Sequence, residues 1–580
     1  MNPETKNCQN CKNSFIIEPE DFDFYAKMQV PPPTFCPDCR LKRRLYHYNK
    51  RSLYKRKCGL CSKETFTMYH PDEPITVYCN TCWWGDEWDA LRYARDIDFS
   101  RPIFGQMKEM LHEVPWMALG VEEPTMVNSP YCNGAGRLKN AYLVFYADIV
   151  EDSYYCDTVA YLKNCFDCYM AYESEQCFEC VNIRKCYRAF YSRDCEDSYD
   201  IYFSKNLVGC SNCFGCTNLR KKQYCIYNEQ YSKEDYEAKI SNLMASAYND
   251  IGAILEQTEE NSYQYPQKYM HGKQNIDVTG DYVLHSKNSK TIYQSNGVED
   301  SKYCFLCYLG PVKDCYDYSF YGENAIEVYE TIKSGTNLNH VFFSNGCFPE
   351  GRSLEYCHYC VGSHDLFGCI GLRNKEYCIF NKQYGKDEYF ALREEIIKHM
   401  NDVPYMTPSG FEYKYGEFFP SEFSPFAYNE SIAQEVFPEN KAQAIAKGYR
   451  WREKDNKEYK ITILNKDIPK ESGDVTESIL DDIIECSHVS DSCTNAFKII
   501  PEELNFYKQM GLPLPTHCPN CRHELRLKQR NPMKLWHRSC MCEKAGHSHD
   551  GVCSNEFETS YASDRPEIVY CEKCYQQEVS

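Results

Sequence analysis

Four Cys-x2-Cys pairs crowd the first 82 residues: Cys8 and Cys11, Cys36 and Cys39, Cys58 and Cys61, Cys79 and Cys82. Such a knuckle aims two thiolates at one ion, and two knuckles complete a tetrahedral set of four sulfurs. The first two pairs should form one site and the last two another. Cys39 leads into RLKRRLYHY, with Leu41, Leu45 and Tyr48 at helical spacing, and Cys82 leads into WWGDEWDALRYA. Each second pair is expected on the first turn of a helix, whose positive end favours a thiolate.

The far end of the chain repeats this design. With an offset of 482, the positions from Cys11 to Cys58, including Phe24, Tyr25, Cys36, Cys39, Arg40 and Arg44, recur from Cys493 to Cys540 as Phe506, Tyr507, Cys518, Cys521, Arg522 and Arg526. With an offset of 492, Cys61, Tyr69, Cys79 and Cys82 recur as Cys553, Tyr561, Cys571 and Cys574. The expected ligands at this end are Cys486, Cys493, Cys518 and Cys521, then Cys540, Cys553, Cys571 and Cys574. Two departures stand out. Cys486 and Cys493 are separated by six residues instead of two, and ten residues are inserted between Cys540 and Cys553. The insert brings Cys542, His547 and His549, which together with His488 are spare ligands able to replace a predicted one. Sixteen thiolates in four sets imply about four Zn2+ ions per chain. The shared element F-x-I…P-E-x-x-x-F-Y…P-x-P-T-x-C-P-x-C-R resembles small bacterial zinc-ribbon, treble-clef-like domains of unknown function, over about 35 residues at each end. That resemblance implies zinc binding and no activity.

Between the ends lies a different pattern. Asn140-Ala-Tyr142, Asp152-Ser-Tyr154, Asn164-Cys-Phe166 and Gln176-Cys-Phe178 follow one another at 12-residue steps, after which Cys177, Cys186 and Cys195 step by 9. These windows lack a sustained 3.6-residue period, and even repeats with small and aromatic residues in fixed places fit a narrow β-solenoid. The block is duplicated: KNAYLVFYADIVEDSYYC aligns with KNSKTIYQSNGVEDSKYC, and FGCTNLRKKQYCIYNEQY with FGCIGLRNKEYCIFNKQY. Each copy ends in a helical segment that should cover the open end, the first opening at Ser232 with Tyr236, Ile240, Leu243 and Ala247 on one face. Twenty cysteines fall in this middle. Pairs such as Cys165/Cys168 and Cys177/Cys180 are open to a metal or iron–sulfur reading, or to a ladder of small buried thiols. The second copy keeps the framework with only eight cysteines in 304–378, which favours the ladder.

The expected fold is a mixed α+β multidomain chain. Two-zinc modules at 1–95 and 486–580 flank solenoid blocks at 130–260 and 275–403, and 404–485 forms a connector. No stretch approaches 18 apolar residues and the start, MNPETKNCQNCK, has no apolar run, so a cytoplasmic, reducing setting without membrane contact is expected. No P-loop, GxGxxG, GxSxG or HExxH motif occurs, so no enzyme and no small-molecule substrate is expected.

The net charge of −19 lies wholly in the middle, since residues 1–90 hold 13 Lys/Arg against 12 Asp/Glu and residues 486–580 hold 11 against 12. Within the ends the charge is segregated. Residues 40–57 carry nine Lys/Arg and no acid, and 522–539 carry six with one Glu. A basic helix face interleaved with Tyr is what phosphate contact and base stacking require. On this reading Arg40, Lys42, Arg43, Arg44, Lys50, Arg51, Arg522, Arg526, Lys528 and Arg530 bind nucleic acid, RNA foremost. The rival is that the basic face docks on the chain's own acidic middle, leaving a protein-interaction scaffold, or a nucleic-acid mimic, built on the acidic solenoid.

Overall fold

The computed structural model describes residues 2–453, 459–469, 472–488 and 492–579. It is a mixed α/β structure dominated by an 11-stranded and a 12-stranded sheet, with 12 α-helices among the described residues.

In the first sheet, strands from Asn133–Lys139 to Gln223–Ile226 pair in parallel, each residue opposite the one 12 positions on. Tyr154, Phe166, Phe178 and Phe190 continue that register between strands. The 9-residue cysteine step does not shorten the unit, because Val181 still pairs with Arg193 and Tyr187 with Tyr199. Both numbers are multiples of a shorter period. From Gly134 to Tyr227 every third residue has a φ between +47° and +65°. A left-handed residue costs roughly 1–2 kcal/mol when it is not glycine, and Asn and Asp tolerate it best. Asn140, Asp152, Asn164, Asp167, Asn182, Asp194 and Asn206 occupy such corners.

The residue after each corner points inward. Cys156, Val159, Leu162, Cys165, Cys168, Ala171, Ser174 and Cys177 are all at most 3% exposed. The inward polar groups are buried, and they pair with the main chain. Ser153 Oγ donates to the Glu151 carbonyl and accepts from the Cys165 amide at 3.0 Å. Cys180 Sγ donates to the Ala189 carbonyl nine residues on, at 3.1 Å. Burial pushes the Cys168 and Cys180 thiols well above their ordinary range. The Cys-x2-Cys spacing in the middle is thus two neighbouring sides of one turn of chain, whereas at the ends it is a knuckle.

The second sheet, from Gly272 to Gln383, has the same parallel construction, with steps of 13 between Tyr316 and Tyr329 and between Val328 and Val341. Each sheet ends in a short antiparallel hairpin, Glu229–Gln230 in one and Lys382–Gln383 in the other, followed by a helix. Those helices run Lys233–Asn249 and Lys386–Asp402. Ser232 Oγ caps the first through the Asp235 amide, and Tyr236 and Tyr389 pack on Tyr224 and Tyr377 of the last full strands.

Within the segment expected as a connector, residues 413–433 are mostly buried. Phe418, Phe426, Tyr428 and Ile432 are at most 3% exposed, and the Ile432 amide donates to the Tyr48 carbonyl at 2.9 Å. The segment also carries a short helix, Lys441–Ala446, and Lys454 lies outside the described residues. The stretch ESGDVTESILDDII forms 3-10 turns at Ser472–Asp474 and Glu477–Asp481, and Glu471 also lies outside.

An interior this narrow penalises volume far more than the outer face does. Ala171→Leu should cost about 1–3 kcal/mol in denaturant unfolding, whereas Tyr199→Ser, at an outward position 47% exposed, should stay within about 0.5 kcal/mol of the parent.

Candidate metal centres and their docking faces

The sixteen cysteines singled out in the sequence come together in the four expected sets, Cys8/Cys11/Cys36/Cys39, Cys58/Cys61/Cys79/Cys82, Cys486/Cys493/Cys518/Cys521 and Cys540/Cys553/Cys571/Cys574. Within each, every sulfur lies within 4.8 Å of the others, and each set could hold a metal ion. Contacts of 3.7 Å for Cys11–Cys36, 3.9 Å for Cys61–Cys79, 3.8 Å for Cys486–Cys521 and 4.0 Å for Cys553–Cys571 are far too long for a disulfide. They match the edge of about 3.8 Å that metal–sulfur bonds of about 2.3 Å impose on a tetrahedron.

One hydrogen bond recurs in all four sets. The amide of the helix-capping cysteine donates to the first cysteine of the partner knuckle: Cys36 to Cys8 at 3.2 Å, Cys79 to Cys58 at 3.3 Å, Cys518 to Cys486 at 3.1 Å and Cys571 to Cys540 at 3.2 Å. Donation of an N–H to sulfur stabilises a thiolate and orients it. Cys36, Cys79 and Cys518 cap the helices Pro37–Tyr46, Asn80–Trp84 and Pro519–Leu527, so Cys39, Cys82 and Cys521 fall in first turns as expected. The wider Cys486–Cys493 loop still closes its set.

These helices then meet the sheets, and the basic face is not free. Arg40 Nε donates to Asp317 at 2.8 Å, Arg44 Nη1 to Asp317 and Glu330 at 3.0 Å each, and Arg43 to Glu330 at 2.7 Å and Glu417 at 3.0 Å. All three arginines are at most 3% exposed. The other end of the chain repeats the arrangement on the other sheet. Arg522 Nη1 donates to Asp167 at 2.8 Å, and Arg526 Nη1 to Asp167 at 2.9 Å and to Glu179 at 3.1 Å. Phe24 stacks on Tyr316 with centroids 3.7 Å apart, and its counterpart Phe506 stacks on Phe166 at 3.9 Å. Arg40 lies over Tyr303 and Arg522 over Tyr155, which are equivalent positions of the duplicated block. The helix Pro37–Tyr46 therefore docks on the second sheet and Pro519–Leu527 on the first, while Lys50 and Arg51 reach Asp157 of the first sheet and Asn531 and Ser560 reach Asp281 of the second.

The remaining basic residues follow suit with one exception. Lys50 reaches Asp157 at 2.6 Å and Glu435 at 3.3 Å, Arg51 reaches Asp157 at 3.1 Å, and Lys42 reaches Glu439 at 3.0 Å. Arg530 donates to the Tyr169 hydroxyl and the Glu435 carbonyl. Only Lys528 of the ten is exposed. Arg40, Arg43, Arg44, Lys50, Arg522 and Arg526 are thus all paired with the chain's own carboxylates. Burial works against the charge of Arg40, Arg43 and Arg522, yet Asp317, Glu330 and Asp167 respectively hold each guanidinium well above its usual range. Burial in turn pushes Glu179 up to about 7, against the pull of Arg526. His47, buried beside the Pro420 carbonyl, is driven down to about 3 by desolvation. The acids Asp167, Glu179, Asp317, Glu330 and Glu417 were not singled out in the sequence. The signal that could have found them is that Asp167 and Asp317 follow equivalent Cys-aromatic pairs, Cys165-Phe166 and Cys315-Tyr316.

No family model matches the chain, and no curated protein does. A solved structure named "putative acetyltransferase" from Desulfovibrio desulfuricans G20 aligns at 10% identity over 46% of this chain and 71% of that one, with a TM-score of 0.09. A likeness that low carries no argument. No helix among the described residues is long and apolar enough to cross a membrane.

Loss of one metal ligand should therefore reach beyond its own module. In Cys36→Ser, hydrogen exchange should accelerate across residues 8–46 and at the docking strands Tyr316–Gly322 and Ala325–Gly335, while the 145–226 interior stays protected.

Proposed function

We propose that this chain is a non-enzymatic, zinc-clamped scaffold. In this reading 130–260 and 275–403 are two β-solenoid blocks with helical caps, 404–485 straps them together, and the modules at 1–95 and 486–580, holding about four Zn2+, lock the blocks into one body. A closed tetrahedron of four thiolates suits zinc, and a chain with 37 cysteines fits a reducing, cytoplasmic setting.

One observation carries the choice of partner. The arginines that composition offers to nucleic acid are buried in ion pairs with Asp167, Asp317 and Glu330. The modules on this reading are structural fasteners, and the surface left for a ligand is the acidic one. A protein presenting a basic face is the partner that a chain of net charge −19 would attract. The same deficit of free cations opposes RNA and DNA, whose binding depends on neutralised phosphates.

A triple substitution separates the two readings. Arg40→Gln/Arg43→Gln/Arg44→Gln should lower the thermal midpoint by several degrees, because it leaves Asp317 and Glu330 buried without counter-charges, and should leave retention of RNA or DNA at low salt unchanged and negligible. If the variant keeps its midpoint but loses nucleic-acid affinity, with a salt slope flatter by about three phosphate contacts, the scaffold reading is wrong.

A further inference from the structure

The ten-residue insert in the C-terminal module has no counterpart between Cys58 and Cys61. Its three ligand-type side chains converge on one atom of the neighbouring tetrahedron. Cys542 Sγ, His547 and His549 gather with Cys574 so that all four ligand atoms lie within 4.8 Å of one another. Cys574 also belongs to the set Cys540/Cys553/Cys571/Cys574. The geometry points to a binuclear metal centre in which the Cys574 thiolate bridges two zinc ions: one completed by Cys540, Cys553 and Cys571, the other by Cys542, His547 and His549.

The two imidazoles are already oriented for this. His549 Nδ1 faces the Gly551 carbonyl at 2.9 Å, which fixes its proton there, and its Nε2 is buried with no hydrogen-bond partner. An orphaned, unprotonated imidazole nitrogen inside a ligand cluster is what a metal would satisfy. His547 presents Nδ1 to Cys542 Sγ at 3.1 Å and turns Nε2 toward the Glu578 carboxylate at 3.8 Å, an acid placed to orient the ring from behind. Cys542 is fully buried although it sits in a loop of exposed residues. Its carbonyl accepts from the Cys553 amide at 2.9 Å, tying the insert to the first ion's ligands.

Charge favours the second ion. Four thiolates leave a divalent ion with two net negative charges, and a second divalent ion bringing only one more thiolate reduces the pair to one. With metal–sulfur bonds of about 2.3 Å, ions sharing Cys574 sit at most about 4.6 Å apart. The N-terminal module, built on the same frame without the insert, serves as an internal control with two separate ions.

This inference rests on the zinc reading of the four cysteine sets, and metal counting tells the two apart. The full chain, loaded with Zn2+ and dialysed, should hold five ions, and His547→Ala/His549→Ala should hold four. One ion or none in the parent would overturn the zinc reading itself. Four in both proteins would overturn the bridged centre alone, as would five in both, because the fifth ion would then lie elsewhere. A second readout needs no variant. In the 113Cd-substituted parent, two resonances should show mutual cadmium–cadmium coupling through the shared sulfur, and a spectrum of uncoupled resonances would refute the bridge.

Discussion

Two arginines and one aspartate, used twice, hold the molecule together. Arg40 and Arg44 fork onto Asp317, and Arg522 and Arg526 onto Asp167, each pair reaching from one face of a cysteine-capped helix to a corner of a parallel sheet. Charges this deeply buried survive only when paired, since each bare ion would cost several kcal/mol. The consequence runs in both directions. The cysteine sets fix the helix that aims the arginines, and the arginines in turn neutralise carboxylates that the left-handed corners present to the module.

Duplication explains how this arose as a matched system. Helix, arginine pair and stacking phenyl ring recur together at both ends, and their targets recur together in both sheets. Docking is crossed for these two helices, the first on the second sheet and the last on the first. The strap at 404–453 joins this exchange. Glu417 meets both Arg43 and the Thr34 amide, and Glu435 meets Lys50.

The metal sets were legible in the sequence because chemistry dictates both residue type and spacing there. The 12-residue step was legible for a similar reason, since stacking requires like residues at like positions. Its true unit of three was hidden, because it leaves a trace only where Cys, Ser, Ala, Val, Leu and Ile are counted as one inward class. The destination of the basic faces was not legible, for a physical reason. An arginine row that will meet phosphate and one that will meet Asp317 some 275 residues away are the same pattern until the partner is placed. The burial of Phe418, Phe426 and Tyr428 was not legible, because these aromatics follow no period at all.

The coupling between Arg526 and Asp167 tests the account most directly. A double-mutant cycle with Arg526→Met and Asp167→Asn, read as unfolding free energy of the full chain, should give an interaction energy of about 1–3 kcal/mol, with the double variant less destabilised than the sum of the singles. Effects that add to within about 0.3–0.5 kcal/mol would mean that the pair is no clamp, and that the modules are held to the sheets by something else.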